Sequence, residues 1–138
     1  MADSNNPILQ YREQAINTMS KGELLVKLFD EELKNLKYAA MLFKSENFEA
    51  ARKCTTKCKD ILNYLCAILD DKYSLSADLR KIYSHFIGEI IKADVSHDAE
   101  ILEKITPMVQ DLRETWAQAE KLSRMQNKEK GKSQSVSL

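Results

Sequence analysis

Glycine occurs three times and proline twice in 138 residues, so the chain is poor in the residues that punctuate turns and a sheet built on frequent reversals is not expected. Histidine is nearly absent: only His85 and His97 occur, and neither stands in a pattern suited to acid–base or nucleophilic work. No G-x-S-x-G elbow, phosphate-cradling glycine loop or H-E-x-x-H zinc helix is found, so enzymatic activity and a bound cofactor are not expected. A di-metal helical bundle would need E-x-x-H spacing, but Ile82 stands three residues before His85 and Asp94 three before His97. Cys54 and Cys58 lie one helical turn apart, yet no second Cys or His pair could complete a zinc tetrahedron, and their apolar surroundings favour small core side chains. An excess of one charge is also missing. Twenty-one basic and twenty-one acidic residues are interspersed, which gives no field for a polyanion and argues against nucleic acid. No run approaches the roughly 18 apolar residues of a membrane span, and Met1 to Asn6 lack the basic start and apolar run of a secretory signal. A cytosolic protein with free thiols is expected.

The residues present are helix formers in helical register. Ser20-Lys21-Gly22-Glu23 has the form of a capping box, in which hydroxyl and carboxylate each satisfy an orphan amide of a helix start. Leu25, Phe29, Leu33, Leu36, Ala40 and Phe43 then recur every three or four residues on one side of a helix. After Ser45-Glu46-Asn47, a second helix carries Ala51, Cys54, Cys58, Ile61, Leu65 and Ile68, flanked by a further row of Leu62, Cys66 and Leu69; Asp70-Asp71-Lys72 ends it as a solvated turn. Ser74 or Ser76 can cap a third helix bearing Leu79, Ile82, Tyr83, Phe86, Ile87, Ile90, Ile91 and Ala93 and closing near Val95. Ser96, followed by Asp98 and Glu100, opens a fourth with Ile101, Ile105, Val109, Leu112, Trp116 and Ala119. Pro107 falls inside it and predicts a kink or short break.

Short connections between such segments predict an all-α fold, an up-and-down antiparallel four-helix bundle. One domain is expected, with the bundle over residues 20–125. Residues 1–19 form an arm or short helix with apolar Pro7, Ile8, Leu9 and Tyr11, a candidate latch. From Gln126 the apolar period is lost, and residues 126–138 are expected to be a disordered tail.

A bundle seam needs about three apolar positions in seven. The second and third helices carry more, in Leu62, Cys66, Leu69, Ile87 and Ile91. A fuller core, a homodimer face, and grooves that take a partner's apolar helices all fit this surplus. Trp116 reads as core; Tyr83 fits a core and an interface equally well.

The order of motifs resembles the FliS family. Asn6, Pro7 and Tyr11 match its N-terminal arm, and Ser20, Glu23 and Leu24 match its Ser-Pro-x-Glu-Leu helix start, with Lys21 in place of proline. Leu28-Phe29-Asp30 stands where the family has Leu-Tyr, without the phenol. Lys59-Asp60-Ile61-Leu62, Leu65 and Leu69-Asp70 are similar to its second helix, and Leu79, Ile82-Tyr83 and Ala93 to its third, with Asp94 where asparagine is usual. Asp98 and Leu112-Arg113-Glu114-Thr115-Trp116 complete a likeness running over residues 6–123. The resemblance implies a cytosolic export chaperone without cofactor or metal. It would bind the disordered C-terminal region of flagellin as helical segments, prevent premature polymerisation and deliver the subunit to the flagellar export gate. Ile8, Tyr11, Leu24, Leu28, Leu62, Leu69, Tyr83 and Ile87 are the residues expected to border the client surface. A helical adaptor or regulator with a different amphipathic client is the alternative.

Overall fold

The structure, a computed structural model, describes residues 20–136. Four helices make it up: α1 (Lys21–Lys44), α2 (Phe48–Ala67), α3 (Leu75–Ser96) and α4 (Ala99–Val136). The first begins where the capping box predicts, with the Glu23 amide donating to Ser20 Oγ at 3.1 Å. The turn between α1 and α2 passes through Glu46 at φ 60°, and α3 ends on His97 at φ 54°. The last helix is capped by Asp98, whose Oδ1 accepts from the Glu100 amide at 2.9 Å. Ser96, the expected cap, instead ends α3 and donates its hydroxyl to the Lys92 carbonyl at 2.7 Å.

Among the described residues, 28–113 form one compact unit, and 20–27 with 114–136 belong to another. In the larger unit the residue pairs fix the topology. Glu32 meets Cys58 and Phe43 meets Phe48, so α1 and α2 run antiparallel. Thr55 meets Asp94 while Cys66 senses Arg80, which makes α2 and α3 antiparallel as well. Phe29 faces Tyr83 and Phe43 faces His97, a constant offset that makes α1 and α3 parallel. Asp30 with Arg113 and Lys44 with Glu103 set α4 antiparallel to α1. The fold is an all-α four-helix bundle, as the periodicity predicts.

Phe29, Leu36, Phe86, Ile90, Leu102 and Val109 are fully buried and form the core of this unit. In α2 the buried row is Ala51, Thr55, Cys58, Leu62 and Leu65. Ala51, Cys58 and Leu65 are buried as expected, while Thr55 and Leu62 take the inward places expected of Cys54, Ile61 and Ile68: Ile68 is 45% exposed, and Cys54 and Ile61 are only half-buried. Two adjacent apolar rows on one helix are indistinguishable by period alone, and the neighbours that choose between them come from other helices.

Pro107 does not break α4. The helix also stays helical beyond Gln126, to Val136, where a disordered tail is expected; residues 126–129 are exposed and gain nothing from burial. In the smaller unit, Gly22 allows close approach of two helices, since a methyl there would lie 2.6 Å from Glu120 Cγ. The arm, including Ile8 and Tyr11, lies outside the described residues.

Candidate functional site

Two features of the larger unit bear on chemistry. The first is a buried polar layer. On α1, Glu32 falls three residues after Phe29 and four before Leu36, hence on the inward face, and it is fully buried. Neither carboxyl oxygen has a hydrogen-bond partner. The Cys58 thiol lies alongside and donates to the Glu32 backbone carbonyl at 3.8 Å. Burial lifts the Glu32 carboxyl from an ordinary 4.5 to about 9, an effect the nearby thiol offsets only in part, so Glu32 is a neutral acid at pH 7. Cys58 is itself pushed well up, by burial first and then by Glu32; a thiol held protonated in this way is a poor nucleophile. Asp94 is the better satisfied acid. Its Oδ1 accepts from Thr55 Oγ1 at 2.6 Å, and its Oδ2 lies 3.3 Å from Lys59 Nζ. This layer ties helices together and offers no reactive group to solvent. Among the described residues, no three His, Cys, Asp or Glu side chains are grouped to hold a metal ion.

The second feature is a groove of about 490 Å³ between α1 and α4. Leu33, Leu36, Ala40 and Met41 supply one wall, Thr106 and Pro107 the other. Its origin is steric: Ala40 and Pro107 are too short to fill the space between two helices at this level, whereas Leu33 and Met41 stand up beside it. Lys37, Lys44, Glu103 and Gln110 complete the lining. Two ion pairs cross from α1 to α4 at its ends, Lys44 to Glu103 at 2.7 Å and Asp30 to Arg113 at 2.8 Å. The stretch of α1 between those ties measures about 21 Å at the helical rise. An apolar trough with a charged rim can do one thing well, which is to accept apolar side chains from another segment. Met41, 56% exposed, suits this because an unbranched thioether adapts to varied shapes. A depression on α2 between Glu49, Arg52, Lys53, Thr56 and Lys57 is a solvated charged face with three cations and one carboxylate.

The family model described as "Flagellar protein FliS" matches residues 4–123. This chain belongs to the FliS family. It is 27% identical over 114 residues to the flagellar secretion chaperone FliS of Bacillus subtilis (strain 168), an alignment covering 83% of this chain and 86% of that one. The flagellar secretion chaperone FliS of Escherichia coli (strain K12) is 24% identical over 110 residues, covering 78% and 81% respectively. That of Salmonella typhimurium is 25% identical over 109 residues, covering 77% and 81%. The chain is thus an all-helical member of the FliS family, whose relatives named above are flagellar secretion chaperones, and no helix among its described residues is long and apolar enough to cross a membrane.

Against this FliS framework, the residues expected at the client surface divide. Leu24, Leu28, Leu69 and Ile87 are half-buried and retain accessible surface. Leu62 and Tyr83 do not: they are 0% and 1% exposed, and Tyr83 packs its ring 6.4 Å from Phe29. The surplus row on α2 therefore feeds the core at Leu62, and Tyr83 takes the core side of its two readings. The FliS-like motif Leu28-Phe29-Asp30 has a structural use, with Phe29 buried and Asp30 paired to Arg113 of the Leu112–Trp116 motif. The sequence reading missed the groove itself. Leu33 and Ala40 were legible as the apolar stripe of α1, but nothing local tells that Pro107 stands opposite.

Proposed function

We propose that this chain binds the apolar C-terminal region of flagellin in the cytosol, keeps it from polymerising and delivers it to the flagellar export gate. The observation that carries the reading is the α1–α4 groove, an apolar trough closed by ion pairs and shaped for a few side chains of a helical segment. Its span of about four turns suits a single helical stretch of client, with apolar anchors at helical spacing entering between Met41 and Pro107. Leu28, Leu69 and Ile87, half-buried in the same unit, offer the client further accessible apolar surface. Ordering of an unfolded client is offset by the apolar area it buries.

The test is calorimetric titration of the full chain with a peptide covering the last ~40 residues of the cognate flagellin, at several temperatures, since coupled folding and burial give a negative heat-capacity change. Saturable binding with that signature is expected. Absence of binding to this peptide, with retained binding to another amphipathic helix, would favour the reading as an adaptor for a different client.

A further inference from the structure

Pro107 gives the groove a chemical character beyond its apolar shape. A proline in a helix interior has no amide hydrogen, so the carbonyl one turn earlier, that of Glu103, receives no helical hydrogen bond. Glu103 and Pro107 both line the groove, and a helix carbonyl points along the axis toward the residue four positions on. This acceptor therefore belongs to a stretch of α4 that borders the groove on both sides of it in sequence. Two neighbouring side chains are engaged elsewhere: Thr106 Oγ1 donates to the Leu102 carbonyl at 2.7 Å, and the Glu103 carboxylate is held by Lys44 at 2.7 Å. A purely apolar occupant would desolvate this carbonyl and leave it unpaired, which costs affinity.

We infer that the segment bound in the groove carries a hydrogen-bond donor for the Glu103 carbonyl, and that Pro107 is the specificity residue that keeps this acceptor open. The charge of the lining narrows the donor. Lys44 is matched by Glu103, which leaves Lys37 as the excess charge of the lining; a lysine or arginine is thus disfavoured, and a neutral amide or hydroxyl (Asn, Gln, Ser or Thr) set among apolar residues is the matching chemistry. The inference rests on the client reading above and adds to it which side-chain type the client must present.

The full chain and its Pro107→Ala variant are titrated with the same flagellin peptide. Alanine restores an amide at position 107, which then occupies the carbonyl within the helix. The peptide is expected to bind the variant about three- to tenfold more weakly, the equivalent of one neutral hydrogen bond, although the variant's helix is the more stable. A second readout follows the bond itself: in the unaltered chain carrying a carbon-13 label, the Glu103 carbonyl resonance shifts downfield when peptide is added. Equal or tighter binding by the variant, or a Glu103 resonance that stays put in the peptide-saturated unaltered chain, would overturn the inference while leaving the client reading intact. Failure of the peptide to bind the unaltered chain at all would remove both.

Discussion

Replacing Glu32 with glutamine should change how the stability of this protein depends on pH, and the size of the change follows mainly from its burial. In the folded chain the carboxyl has no hydrogen-bond partner and is held at about 9; in the unfolded chain it returns to about 4.5. Between those values the folded state keeps a proton that the unfolded state releases. Stability from this group is therefore complete below pH 4.5, falls as pH rises, and levels off above pH 9. The slope is about 1.4 kcal/mol per pH unit, so the loss between pH 5 and pH 8 is about 4 kcal/mol. Against a total of about 5–15 kcal/mol for a domain, that is a large share. Glutamine does not titrate. It still buries an amide without partners, so its gain at pH 5 should be small or negative, but by pH 8 the variant should be the more stable protein. Urea unfolding of both proteins at pH 5, 6.5 and 8 measures this. The difference between variant and parent isolates Glu32, because the remaining titrations cancel. A difference that stays constant over this range would refute the reasoning, and would mean that the carboxyl finds water or a partner.

Further substitutions test other parts of the account. Met41→Glu sets a carboxylate on an exposed groove position; unfolding free energy should stay within about 0.5 kcal/mol while flagellin-peptide affinity falls at least about tenfold. Leu62→Ala empties a fully buried site and should cost about 2–5 kcal/mol in urea unfolding, where a surface position would cost little. Lys59→Met strips Asp94 of its cation and should destabilise by about 1–3 kcal/mol; adding Asp94→Leu should recover part of that loss in a double-mutant cycle. Removing residues 1–18 should leave a cooperatively folding helical protein by circular dichroism, and an unfolded product would show that the segment is structural.

Local signals sufficed for some features and could not suffice for others. The start of α1 was readable because the Ser20 hydroxyl accepts from the Glu23 amide within one turn, and the inward row of Phe29, Leu36 and Phe43 followed from spacing. On α2 the choice between Ile61 or Leu62 as core turned on what α1 and α3 present, so period left it open. The inward acids were the legible clue that went unused: Glu32 sits in register with Phe29 and Leu36, and Asp94 four residues after Ile90. A charged side chain at a core register announces a buried network, although its partners Thr55 and Lys59 are named only by the packing of α2 on α3. Likewise Pro107 announced a local defect, but its opening onto a groove depends on Ala40, more than sixty positions earlier, and on the antiparallel register of α1 with α4. The FliS motifs pointed to the client class; they did not distinguish Leu62 and Tyr83, which the motif uses to build the bundle, from half-buried Leu69 and Ile87.

The most direct measurement is amide hydrogen exchange of the full chain, alone and saturated with the flagellin peptide. Protection should rise along residues 33–44 of α1 and 103–110 of α4, the two sides of the groove. Saturable binding that leaves both stretches unchanged and protects another face would contradict the claim that this trough is where the client docks.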